Sequence, residues 1–518
     1  MRQTTRLMAN TAALFGRMGV TFILGLVITR LLVQELGEVD YGLLMTLGGS
    51  AALLQVLTNA LNESTSRHLA YEVGREDFVQ RHRLFSTAIG LYLLLAVAVV
   101  LIGQALMPAL LAVLTIPSDR MQAAWWVYQF SLFGIAFGFA IAPYGGILQA
   151  HQLLTVSAVF AGLIQILRFA AALSLLILPW DLLITFAGLQ VGASVTIGVV
   201  QVAFCTKRFP ESRPSLAEFR VGELKRIGGF AGWWSLRVLA NRLRQQGGVI
   251  ILNIFFGPVV SAAYAIAWQV QLYLSNFTSA IRRVFQPAMV NAYAAGQLAQ
   301  THTMMLISSK YLTIALGLMA IPVFFEADTV FRLWLGNAPS YTVSLVRLML
   351  VQQTLMRLTV GHGNALRAHG DIGWLVRWQV LFNLGALVAS IAAFAFTNLP
   401  PWGFPALGIV SGLANASVAF VGVSRRMNLD PRVWVKGTVV PVLKVLSACV
   451  VVAAAAHFVL PAGIWRTLLV FAASTLVGVS LFWSVALAEW ERRELRIHAK
   501  QLGQKVKKKI PGIGSCGA

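Results

Sequence analysis

Apolar runs of about 20 residues, the length a helix needs to cross the hydrocarbon core of a bilayer, recur along nearly the whole chain. Fourteen can be read, at approximately 9–33, 39–62, 84–112, 122–148, 153–178, 182–205, 229–256, 258–283, 304–327, 341–364, 373–397, 403–424, 437–460 and 464–488. Inside lipid, every backbone N–H and C=O must be satisfied within the protein, and for segments of this length that means helix. The composition agrees. Of 518 residues, 58% are hydrophobic and 12% are charged, and the mean hydropathy is +0.73. An ordinary soluble domain carries about a quarter charged residues, and a disordered chain is poor in apolar ones, so both classes are excluded. The first run is too long for a cleavable signal, carries Arg17 and lacks a small-residue cleavage site. Cys205, Cys449 and Cys516 form neither a disulfide framework nor a C-x-x-C metal motif.

Charge sets the expected orientation. The net charge is +22, and the basic residues gather in alternate loops. Loop 63–83 holds Arg67, Arg75, Arg81 and Arg83, and loop 206–226 holds Lys207, Arg208, Arg213, Arg220, Lys225 and Arg226. Loop 425–436 and the tail beyond Arg492 add more. The intervening loops are short and nearly uncharged, or acidic like the segment Glu35 to Asp40. The positive-inside rule therefore predicts both termini in the cytoplasm. The tail Lys505–Lys509 reads as a segment lying against anionic headgroups rather than on nucleic acid.

The chain also repeats itself. Gly145–His151 and Gly363–His369 both read G-x-x-L-[QR]-A-H, 218 residues apart, while Arg17 and Gly37 return as Arg237 and Gly257 after 220. Each copy holds six helices, an even number, so both copies share one orientation and a site is expected at their interface. The expected division is an N-lobe at 1–205, a cytoplasmic linker at 206–228 and a C-lobe at 229–425. Two further helices follow at 426–488, and then a basic cytoplasmic tail at 489–518. The predicted fold is thus an all-α polytopic membrane protein of about 14 transmembrane helices, with two pseudo-symmetric six-helix lobes plus two C-terminal helices.

Ionisable and amide side chains inside spans are costly and mark candidate sites. In the seventh span Arg237, Asn241, Arg244 and Gln245 share one helical face, as do Asn10 and Arg17 in the first. Gln55 and Asn59 line the second span, Gln269, Asn276 and Arg283 the eighth, and Gln353 and Arg357 the tenth. These stripes predict a wet vestibule lined by cations and amides, in which Arg17, Arg237, Arg244, Arg283 and Arg357 form the cationic set. Asn10, Gln55, Asn59, Asn241, Gln245, Gln269 and Asn276 form the amide set. No Asp or Glu falls mid-span, which disfavours a cation exporter. Guanidinium groups pair bidentately with phosphate oxygens, so a phosphate-bearing substrate is expected. No G-K-[ST] phosphate loop, H-E-x-x-H or G-x-S-x-G is present, and a transporter without cofactor or metal is expected rather than an enzyme.

Three segments carry a family likeness: Ile28–Leu32 followed by Leu36–Gly42, the helix end Ile147–His151, and the polar seventh helix running to the Phe-Gly-Pro turn at Gly257, with Tyr264 beyond it. With the six-plus-six arrangement, the chain resembles the polysaccharide and O-antigen (Wzx-like) flippases of the multidrug/oligosaccharidyl-lipid/polysaccharide exporter superfamily over roughly residues 8–425. The resemblance implies two lobes whose first, second, seventh and eighth helices line a cavity. It implies alternating access in a bacterial inner membrane, carrying an undecaprenyl-diphosphate-linked oligosaccharide from the cytoplasmic to the periplasmic leaflet, with the diphosphate on the arginines and the sugar on the amides. Membrane lipids and polysaccharide polymerase or export proteins are the partners it implies, with no nucleic acid. A multidrug exporter of the same superfamily is the transporter alternative. A membrane-embedded ligase or polymerase would need a larger outer loop than the sequence offers.

Overall fold

The computed structural model describes residues 2–54, 56–215, 218–220, 222, 232–370 and 372–493. Among them the chain is helical, with no strand. In chain order the helices are α1 (Arg2–Leu53), α2 (Val56–Gly74), α3 (Phe78–Val113), α4 (Met121–Ala150), α5 (Leu154–Ser174) and α6 (Leu182–Arg208), then α7 (Gly232–Phe256), α8 (Pro258–Ala294), α9 (Leu298–Phe325) and α10 (Ala327–Leu335). They continue with α11 (Thr342–Arg357), α12 (Val360–His369), α13 (Ile372–Phe396), α14 (Gly403–Arg426), α15 (Pro431–Trp434), α16 (Val440–Val459) and α17 (Ile464–Leu481). Ten helical segments among the described residues are long and apolar enough to cross a membrane, which makes this a multi-pass membrane protein. The other apolar runs are helical as well. α7 and α8 carry too many polar groups to count as apolar spans, the second run is interrupted after Leu53, and the tenth is divided between α11 and α12.

Local chemistry sets the helix ends. Asp77, Asp181 and Asp430 accept from the backbone N–H of Gln80, Ile184 and Arg432 and so satisfy otherwise orphaned donors at the starts of α3, α6 and α15. Gly37 turns the chain inside α1 at φ 79°, and Gly257 turns it between α7 and α8 at φ 83°, a region that side chains with a Cβ resist. Those glycines are the pair predicted from the sequence repeat. Two more repeat-related pairs share the left-handed conformation: Glu76 with Gly296, and Gln152 with Gly370.

The helices group into two compact units. The first comprises residues 1–273, 331–352 and 371–415, and the second 274–330, 353–370 and 416–518. In the first unit, residues 209–215 and 218–220 are strapped along the basic end of α3. Ser215 N donates to Ser86 Oγ, Arg220 N to Thr87 Oγ1, and Arg83 pairs with Glu218 at 2.8 Å. That hydrogen bond from Arg83 holds the Glu218 carboxyl below the usual carboxylate range. His151 closes α4 by meeting Glu211 Oε1 at 3.0 Å and stacking on Phe209. At the opposite end of this unit Arg120 joins Asp40 and Asp181, tying the Gly37 turn to the starts of α4 and α6.

In the second unit α9 carries α16 and α17 on three attachments. A small-residue seam places Gly317 against Leu446 and Gly478 against Leu318 and Cys449, where added methyl groups would collide. At one end of α9, the fully buried Glu326 carboxylate accepts from His457 Nδ1 at 2.7 Å, from Arg466 and from Thr467 Oγ1 at 2.9 Å. Lower on α9, Lys310 Nζ donates to Glu491 at 2.8 Å and to the Ala486 carbonyl at 2.8 Å. A π-helical turn at Phe482–Ala486 frees that carbonyl from the regular ladder.

Candidate functional site

Among the described residues, transmembrane polar side chains include a group consumed by neutral helix–helix contacts and a group of arginines that bury an N–H without a partner. The first group closes the acid-bearing end of the first unit, where α1 meets α7 and α8. Gly42 packs so closely on the backbone of Pro258 that a Cβ there would strike its carbonyl oxygen. Beside it, Thr46 Oγ1 donates to Ser261 Oγ at 3.1 Å. One level deeper, Gln269 is fully engaged. Its Oε1 accepts from Thr29 Oγ1 at 2.9 Å, and its Nε2 donates to Tyr273 Oη at 2.8 Å and to the Gly25 carbonyl at 3.3 Å. Asn253 Oδ1 accepts from Thr115 N at 3.0 Å, and Trp334 Nε1 donates to the Leu26 carbonyl at 2.9 Å. These are neutral bonds, each with a net worth of about 1 kcal/mol, so the closure is firm in sum without any one contact being decisive.

The second group is cationic. In the second unit, α8 presents Ser275, Ser279 and Arg282 on one face, and α11 presents Gln353 and Arg357 one turn apart. Ser275 Oγ accepts from Gln353 Nε2 and from Arg357 Nη2, the latter at 3.1 Å. The Arg357 Nε–H is buried with no partner. Arg282 is close enough for its charge to act on Arg357, and Arg283 beside it is exposed. None of these three arginines has an acidic partner among the described residues. In the first unit, Arg244 on α7 and Arg168 on α5 each bury an Nε–H without a partner. A buried guanidinium without a carboxylate is expensive, and an anion with oxygens at hydrogen-bonding distance supplies what it lacks.

The sequence-predicted residues are distributed as follows. Arg357 lies in the cationic cluster, with Arg283 at its edge, and Arg244 buries an Nε–H that has no partner among the described residues. Gln245 accepts weakly from Arg242 at 3.4 Å, and Asn276 is exposed, its own carbonyl accepting from Ser279. Gln269 is committed to the closure. The side chains of Asn10, Arg17, Asn59, Arg237 and Asn241, and Gln55 altogether, lie outside the described residues. Sequence reasoning missed Arg168, Arg282 and Ser275. Arg168 is a mid-span charge and was detectable by that criterion alone. Arg282 required the helix phase: the stripe drawn through Gln269, Asn276 and Arg283 runs one residue away from the face carrying Ser275 and Arg282.

The polysaccharide biosynthesis protein family matches residues 7–293, more than half of the chain and nearly all of the stretch from α1 to α8. No curated protein matches it. Among solved structures, an inward-facing multidrug resistance MATE family transporter of the MOP superfamily aligns with TM-score 0.69 at 15% identity, over 79% of this chain and 94% of that one. The lipid II flippase MurJ in an inward closed conformation aligns with TM-score 0.66 at 12% identity, over 92% and 98%. A MOP superfamily transporter from Pyrococcus furiosus aligns with TM-score 0.58 at 15% identity, over 82% and 95%. At these identities the likeness is one of fold. The all-helical architecture is that of the MOP-superfamily transporters, and the chain belongs to the polysaccharide biosynthesis protein family.

Proposed function

We propose that the chain is a flippase that moves a polyprenyl-diphosphate-linked oligosaccharide across a bacterial inner membrane, from the cytoplasmic to the periplasmic leaflet, by alternating access. Both termini are cytoplasmic in this reading. Residues 1–205 and 229–425 act as two lobes joined by 206–228, with 426–488 and the tail 489–518 appended. The single observation that carries it is the set of intramembrane arginines, Arg168, Arg244 and Arg357, that bury an unpartnered Nε–H and have no carboxylate partner among the described residues. A diphosphate offers several anionic oxygens and can bridge more than one guanidinium, which a cationic drug cannot do. Arg357 and Arg244, with Arg17 and Arg237, hold the diphosphate, Arg283 adds positive potential, and the amides at Asn10, Gln55, Asn59, Asn241, Gln245, Gln269 and Asn276 serve the sugar. Gln269 becomes available to it only when the neutral closure opens.

The test compares surface polysaccharide with the amount of protein in the membrane. Arg357→Ala should cut export by roughly 10- to 100-fold, as expected for about 1.5–3 kcal/mol of lost charge-assisted bonding. Arg357→Lys keeps the charge, loses the fork and should recover only part of the export. Undiminished export from a stably inserted variant lacking both Arg17 and Arg237 would remove the diphosphate assignment.

A further inference from the structure

A cleft of about 360 Å³ lies in the first unit at its acid-bearing end. Val33, Gln34 and Glu38 form one wall, on either side of the Gly37 turn of α1, and Leu335, Gly336 and Asn337, at and just beyond the end of α10, form the other. Its floor is apolar, because Val33 and Leu335 are buried. Its polar groups are unspent. The Glu38 carboxylate and the Asn337 amide have no hydrogen bond or ion pair among the described residues. Gln34 uses only its Nε2, which donates to the Leu335 carbonyl at 3.2 Å, so its Oε1 stays open as an acceptor. Gly336, at φ 79°, lets the backbone turn tightly past Gln34.

This combination discriminates between ligand classes. Ligand clefts run from roughly 300 to 1,000 Å³, so this one has room for about one or two sugar rings. A hydroxyl can donate to Glu38 or Gln34 Oε1 while accepting from Asn337, and the apolar floor suits the C–H face of a pyranose. An anion would meet the charge of Glu38. A divalent cation needs about six or more oxygen ligands and usually several carboxylates, whereas one carboxylate lines this cleft. We propose that the cleft binds a saccharide unit, neutral or amino-substituted, at the face where the transported glycan emerges. The emergence side rests on the flippase reading above, whereas saccharide binding does not.

The test uses the full-length protein in lipid nanodiscs and, as probe, the oligosaccharide released by mild acid from the host's own lipid-linked intermediate, free of lipid and phosphate. Cys205 and Cys449 are buried, so in a Cys516→Ser background an Asn337→Cys thiol reports the cleft alone. The oligosaccharide should slow thiol labelling at least threefold at millimolar concentration, and adding Glu38→Gln should abolish the protection. Inorganic diphosphate should give none. An unchanged labelling rate with the oligosaccharide overturns the proposal, as does equal protection with and without Glu38→Gln. Saturation-transfer NMR on protein with native Asn337 supplies a second readout: a signal lost in Glu38→Gln but retained in Arg357→Ala supports the cleft, and a signal retained in both overturns it. Export that is independent of Arg357 would count against the flippase reading and leave this result standing.

Discussion

Glu326 shows how much one side chain can carry in a low-dielectric setting. Burial alone would raise its carboxyl, yet the hydrogen bonds from His457, Arg466 and Thr467 outweigh burial and hold it below the usual carboxylate range. A group depressed in the folded state contributes stability that is present at neutral pH and is lost as pH falls below its ordinary value of 4.5, because the unfolded chain then takes up the proton more readily. Thermal unfolding of the purified protein should therefore occur at lower temperature as pH is taken from about 5 towards about 3, and Glu326→Gln should flatten that part of the dependence. The same variant should cost about 3–5 kcal/mol at neutral pH, since it leaves the mostly covered Arg466 without its counter-charge. An unchanged melting temperature for Glu326→Gln at pH 7 would show that Arg466 finds another acceptor.

Among the elements, the attachment of α17 to α9 can be tested by pairwise substitution. Lys310→Met strands the Glu491 carboxylate beside the Ala486 carbonyl and should destabilise strongly, by about 3–5 kcal/mol. Adding Glu491→Gln should restore much of that loss, because both charges are then gone. A double variant as unstable as the single one would mean that the strap does not act as a coupled pair. The approach of α1 to α8 is the second case. Backbone meets backbone at Gly42 and Pro258, so neither side can yield by changing rotamer. Gly42→Ala should push the two helices apart and weaken the closure, detectable as faster thiol labelling of a Ser261→Cys reporter.

For the whole molecule, the alternating access proposed above requires that the closure at the acid-bearing end come apart in every cycle. Thr46→Cys with Ser261→Cys places two thiols where the hydroxyls now lie 3.1 Å apart. Oxidation should join them and stop export, and reductant should restore it. Export that continues while the cross-link is intact would show that this end does not open. Orientation is checked independently: reporters fused after Lys207 and Lys436 should report cytoplasm, and one fused after Leu399 should report periplasm.

Sequence alone determined the features that depend on local physics. Runs of apolar residues must be helices in lipid, and glycines mark the turns at Gly37 and Gly257. The G-x-x-L-[QR]-A-H repeat was equally legible, whereas the left-handed turns at Glu76 and Gly296 and at Gln152 and Gly370 came only with the structure. The tertiary structure decided which polar side chains are spent and which remain available. Gln269 and Arg357 both read as intramembrane polar groups on a helical stripe. The partner of Gln269 is Thr29, 240 residues away, and nothing in the local pattern announces it. Among the described residues Arg357 donates to Ser275, a hydroxyl without negative charge, and meets no carboxylate, so its cation stays uncompensated there. The phase of α8, which brings Arg282 rather than Arg283 toward Arg357, was likewise set by packing: a helix one residue out of register turns its face by about 100°, a rotation that composition cannot reveal.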